Sequence, residues 1–259
     1  MNSNAPSWLA LERVNAIWPA VGVLAMATGS WLAIAGAVQG GTGWIGVAMP
    51  PADILAGWLM LLMVLATMAA IMVAAQAQRL MGASIGVGLA VLALVPPLIL
   101  AAVGSGKLPM LVALRIVAIV TAWMMLCAAL VWLLRPLGQN LAVVVTAALA
   151  VAMLAMPVVL MPLLADMAKL RNPWPLALTV NACPVLWLLD GTDQVLRFNW
   201  FWWSHARLMY EMTGLGQNTS MPVLQPWWAP TAISVVLALV MLVLAEFPIK
   251  KLFSRRNHL

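Results

Sequence analysis

Six stretches of this chain are each about 20 residues long and nearly free of charge, and few folds accept such runs. A transmembrane helix needs about 20 predominantly apolar residues to cross a hydrocarbon core about 30 Å thick. The runs extend from Ala16 to about Val38, Ile54 to Ala75, Leu80 to Val103, Leu108 to Leu134, Leu141 to Leu164 and Ala229 to Phe247. Breakers or charges separate them. Gly40-Gly41-Thr42-Gly43 and Pro50-Pro51 follow the first, Gln76-Ala77-Gln78-Arg79 the second, Arg135-Pro136 the fourth, and Asp166 the fifth. Inside a bilayer the backbone has no water to bond, so each run must satisfy its own amides and carbonyls as a helix. The expected fold class is therefore an all-α integral membrane protein. It has six transmembrane helices in a single domain over residues 1–259, with a cap over residues 166–226 between helices five and six.

Composition closes off the alternatives. Hydrophobic residues make up 65% of the chain and charged residues 8%, against roughly 45–50% and 25% in soluble domains. Too few charged side chains exist to cover a water-soluble surface. A soluble enzyme, a nucleic-acid-binding module and a disordered tail are all excluded. The formal charge of +6 does not point to nucleic acid, because the basic residues are thinly spread. Their one dense cluster is Lys250, Lys251, Arg255 and Arg256, just after the last apolar run. That placement reads as a cytoplasmic anchor against anionic lipid. Glu12 and Arg13 precede the first run, which fits an uncleaved signal-anchor better than a secretory signal peptide.

Orientation follows from the same charges. With a cytoplasmic C-terminus, six spans place the N-terminus on that side too. Arg13, Arg79 and Arg135 then join the basic tail inside, while Lys107, Lys169, Arg171, Arg197 and Arg207 lie outside. The expected location is the bacterial inner membrane, with both termini cytoplasmic.

The segment from Asp166 to Pro226 differs from the rest. Its apolar stretch, Leu176 to Leu189, is interrupted by Asn181 and Pro184. At about 14 residues it is too short to span and reads as a re-entrant or interfacial helix. Trp200, Trp202 and Trp203 follow it, and Trp227 and Trp228 precede the sixth run. Indoles favour the headgroup level, so these five are expected as interfacial anchors.

Little in the chain can carry chemistry. It has two histidines, His205 and His258, and neither lies in a run. A bis-histidine haem, a di-iron centre and a zinc site therefore lack ligands. No phosphate-binding glycine loop of the ATP or dinucleotide type occurs. Cys127 and Cys183 show no metal-ligand spacing and read as small apolar fillers. The expectation is a non-enzyme with no cofactor, no metal and no catalytic residue. Arg115, about seven residues into the fourth run, admits two readings. It either snorkels to the headgroups or pairs, as a buried cation, with substrate or with Asp53 at the start of the second run. Gly82 and Gly86 form a GxxxG pair that would let two helices approach closely.

The most informative constellation lies in the cap. Asn172-Pro173 is followed by Asn181-Ala182-Cys183-Pro184, then Asp190-Gly191-Thr192-Asp193, then Arg197-Phe198-Asn199-Trp200, and Pro226-Trp227-Trp228 opens the last run. Asp193 and Arg197 are spaced i,i+4 and could pair on a helix. A broken apolar stretch after an Asn-Pro step, an Asp-x-x-x-Arg followed by aromatics and a Pro-Trp opening to a sixth span resemble permease subunits of the type-two ABC transporters (the ABC-2-type class). The resemblance implies six spans per subunit, short re-entrant helices over the outer mouth and a homodimer partner. It also implies a separate nucleotide-binding ATPase on the inner side. Its cargo would be a hydrophobic, lipid-linked or polymeric substrate. Asp53, Arg115, Asp190, Asp193 and Arg197 are the candidate pathway and cap residues. The second reading is a non-catalytic integral membrane subunit of a respiratory, photosynthetic or secretion complex, whose partners would be other membrane subunits.

Overall fold

The computed structural model describes residues 7–40, 51–105, 109–169, 181–185, 187–188, 191–192 and 226–246. Six long α-helices account for nearly all of them, and no strand occurs among the described residues. They are α1 (Ser7–Gly40), α2 (Pro51–Gln76), α3 (Leu80–Ser105), α4 (Met110–Leu134), α5 (Gln139–Lys169) and α6 (Trp228–Glu246). A 3-10 turn, Arg135–Leu137, joins α4 to α5. Five helices, α1 to α4 and α6, are long and apolar enough to cross a membrane. In α5 the apolar stretch among residues with described side chains is Gln139–Ala155. Each helix follows its apolar run to within a few residues, except that α1 begins earlier, at Ser7, and α5 runs on to Lys169. Pro19 lies inside α1, and Pro96-Pro97 inside α3. Membrane helices tolerate such breaks where neighbouring helices satisfy the freed carbonyls.

The helix α4 is the centre of the bundle. It packs on α2, α3, α5 and α6, while α1 packs chiefly on α3 and α2. Twelve α4 residues between Val112 and Val131 are buried, which leaves it little outward surface. Peripheral helices show the reverse. Ile233, Val236, Leu237, Val240 and Val243 of α6 are all exposed, whereas Thr231, Ser234 and Ala238 are buried. That small-residue stripe at helical spacing lets α6 approach α4 closely, where lipid supplies no hydrophobic drive of its own. Of the predicted GxxxG pair, Gly86 is buried and Gly82 half-buried.

Polar pairs mark the helix contacts. The Trp123 indole N–H donates to Thr67 Oγ1 at 2.7 Å, joining α4 to α2, and the Thr67 hydroxyl donates to the Met63 carbonyl, also at 2.7 Å. Trp58 donates to Ser30 Oγ at 3.1 Å, joining α2 to α1 beside a Trp31–Trp58 ring contact of 5.0 Å. Each hydroxyl donates into its own helix and accepts from the neighbour, so no polar atom of the pair is stranded. Thr67→Val should leave the Trp123 N–H buried without an acceptor and lower stability by roughly 1 kcal/mol. Thr67→Ser should restore it. Unfolding in detergent measures both, and a valine variant as stable as the parent would remove this bond from the account.

At one end of the bundle two turns are tied together. Arg135 Nη1 donates to the Ala77 carbonyl at 2.7 Å, and Gln139 Nε2 donates to the Ala75 carbonyl at 2.8 Å. These are carbonyls at the C-terminus of α2, which have no partner within that helix. A cation there also opposes the helix dipole. The Arg135 guanidinium stacks over Trp132, 4.7 Å from the ring centroid. Gly138 makes the turn into α5 with φ +124, a conformation that favours glycine.

Candidate functional site

At the opposite end of α4 a short helical segment is inserted against the bundle. Asn181, Ala182, Pro184, Val185, Trp187, Leu188, Gly191 and Thr192 have helical backbone. Cys183 interrupts it, and its carbonyl accepts from the Trp187 N–H at 3.3 Å. Pro184 therefore takes the first position of the new turn, where the missing N–H is no loss. The Trp187 indole donates to the Asn181 carbonyl at 2.7 Å, and the Thr192 hydroxyl to the Leu188 carbonyl at 2.9 Å. The Asn181 carbonyl thus gains a side-chain donor beside the proline break.

The segment is deeply buried. Cys183 and Thr192 are fully enclosed, and Trp187 and Leu188 nearly so. Cys183 Sγ lies 3.7 Å from the Leu154 carbonyl near the midpoint of α5. Trp187 meets Trp123 edge-to-face, with centroids 6.4 Å apart and planes at 82°. Trp123 stands 13 residues after Met110, about 19 Å along α4 at 1.5 Å per residue. The segment therefore reaches the middle of the helical stack. Gly191 permits the close approach. A Cβ there would lie 2.9 Å from Ile119 Cδ1 and 3.7 Å from Trp227 Cβ.

Trp227 closes this end. It precedes α6, and its carbonyl accepts the Thr231 hydroxyl at 2.6 Å. Arg115, half-buried on α4, lies with its guanidinium carbon 5.8 Å from the Trp227 ring centroid. Among the described groups, the one facing Arg115 is thus an indole, a cation–π arrangement. Asp53 is in the first turn of α2, and its side chain lies outside the described residues. Asp190, Asp193, Arg197, Trp200, Trp202 and Trp203 also fall outside them. Trp228 is 59% exposed, whereas Trp227 is only partly so.

Sequence reasoning named Arg115 and Trp227 but not as partners. It missed Thr67, Trp123, Trp187 and Gly191 as the setting of the segment. Position 187 had a readable signal, a large aromatic three residues after the Cys-Pro break. Position 67 had none, since a single threonine in an apolar run is unremarkable. Among the described residues, no three His, Cys, Asp or Glu side chains gather as a metal would require.

No protein-family model, curated protein or solved structure matches the chain.

Proposed function

We propose that the chain is a permease subunit of the bacterial inner membrane, similar to the type-two ABC class, with both termini cytoplasmic. It works with a separate nucleotide-binding ATPase and moves a hydrophobic, lipid-linked or polymeric substrate. The observation that carries this reading is the inserted segment 181–192. A helical turn broken by proline and held at mid-depth against α4, α5 and Trp227 supports reading it as a re-entrant element. Such irregular backbone occurs at membrane depth only when protein or a water-lined cavity encloses it. Here it closes the outer end of the bundle, with α1 to α6 as the six spans. Arg115 on Trp227 stands at the outer rim, and the turns at 77–79 and 135–138 form the inner face.

The second reading, a non-catalytic membrane subunit, draws on the dryness of the core. The buried polar side chains among the described residues are Thr67, Thr146, Thr192, Thr231 and Ser234, and none of them ionises. Transport pathways commonly carry ionisable groups.

Photo-crosslinking separates the two. Gln78, Arg79 and Leu137 are exposed on the two turns. A photoreactive residue at 78 or 137, in cells expressing the chain from its native locus, should capture a soluble ATP-binding protein. Capture of integral membrane chains alone would discard the permease reading in favour of the subunit one.

A further inference from the structure

A groove of about 220 Å³ opens between α3, α4 and α6. Leu80, Gly88 and Val91 line it from α3, Thr121 and Trp132 from α4, and Leu242 from α6. On α3 the lining runs from residue 80 to 91, and on α4 from 132 back to 121. Each covers 11 residue-to-residue steps, about 16 Å of helix. Half of a hydrocarbon core about 30 Å thick is about 15 Å. The groove therefore spans the depth of one leaflet, and it starts at the end of the bundle where α2 and α3 turn.

That end is charged. Arg79 is exposed and adjoins Leu80, and Arg135 stacks on Trp132. Arg135 gives one N–H to the Ala77 carbonyl, and a guanidinium carries five. These two are the charged side chains described there. Glu246, whose side chain lies outside the described residues, ends α6, and Lys250 and Lys251 follow it in sequence. One turn inside, the Trp132 indole N–H is buried with no hydrogen-bond acceptor among the described residues. A buried donor left so costs about 1–3 kcal/mol, and the level one turn below the arginines is that of lipid ester oxygens.

We propose that this groove binds one anionic glycerophospholipid of the leaflet on the Arg79 side. One acyl chain lies along α3 and α4, an ester oxygen accepts from Trp132, and the phosphate sits by Arg79 and Arg135. Charge, donor and length each match a different part of that molecule. The inference needs only membrane insertion and does not depend on the permease reading.

The test is native mass spectrometry of the full chain in neutral detergent, titrated with phosphatidylglycerol or phosphatidylcholine of the same acyl chains. The parent should hold one phosphatidylglycerol and prefer it about fivefold or more, since each cation near an anionic headgroup contributes about 1 kcal/mol. A Cβ at Gly88 would meet nothing within 4 Å, so Gly88→Phe fills the groove without displacing a helix and should abolish the bound lipid. Arg79→Gln, at an exposed site, should retain a bound chain and lose about fivefold of the preference. Equal occupancy by the two lipids in the parent overturns the proposal, as does unchanged occupancy in a folded Gly88→Phe protein. If Gly88→Phe does not fold, Arg79→Gln decides alone, and an unchanged preference there is equally fatal.

Discussion

Trp123→Ala is expected to destabilise the protein by about 3 kcal/mol. The side chain is 1% exposed in the middle of α4, so its removal leaves a cavity between α2, α4 and the inserted segment. In soluble cores a buried Trp→Ala change costs about 3–5 kcal/mol. Part of that sum is transfer of apolar surface from water. A chain unfolded within a bilayer already has lipid around it, so that part shrinks. What remains is lost packing, the lost ring contact with Trp187 and the bond to Thr67, which places the value at the low end. Trp123→Phe should cost less, because it keeps one aromatic ring for the contact with Trp187 and loses the pyrrole ring with its N–H. Denaturation in mixed micelles measures both. A loss below 1 kcal/mol for the alanine variant would mean that α4 does not hold the bundle together at this level.

Gly191→Phe should release the inserted segment. A Cβ at 191 already meets Ile119 within 2.9 Å, and Ile119 is fully buried, so its side chain has little room to turn away. Overpacking of this kind costs about 1–3 kcal/mol, which shifts a local opening equilibrium about 5- to 150-fold. Phenylalanine belongs at the upper end. The chain supplies its own probe, since Cys183 is in no disulfide, fully buried and part of the segment. With Cys127, the chain's other cysteine, replaced by alanine in both proteins, Cys183 should resist a membrane-impermeant maleimide in the parent. It should react at least tenfold faster in the Gly191→Phe protein. Rapid labelling of the parent itself would show that the segment is not enclosed.

The helices were legible because an apolar run of 20 residues has one solution in a bilayer, and its ends are marked by arginine, proline or glycine. The contacts between spans were not. A helix apolar on every side carries almost no periodicity, so its rotation toward neighbours leaves little trace in the sequence. Thr67 facing Trp123 depends on that rotation. Arg135 read as a topology charge, and its bond to the Ala77 carbonyl needs two turns 58 residues apart to meet. For Arg115 the residue type was informative and the partner was not. Headgroups, substrate and Asp53 were the candidates, and the described partner is the Trp227 ring. In the segment 181–192, the Cys183-Pro184 break correctly marked a helical interruption, while its depth against Leu154 and Trp123 rests on tertiary packing alone.

The tie between the α2–α3 and α4–α5 turns also imposes an order on biogenesis. The carbonyls of Ala77 and Ala75 receive their donors from Arg135 and Gln139, 58 and 64 residues later in the chain. Synthesis proceeds at about 5–20 residues per second, so the wait is roughly 3–13 s. During that interval the end of α2 must stay at the membrane surface, where water or headgroups can serve those carbonyls. The α2–α3 hairpin therefore inserts in a provisional state, and the emergence of the α4–α5 turn from the ribosome completes it.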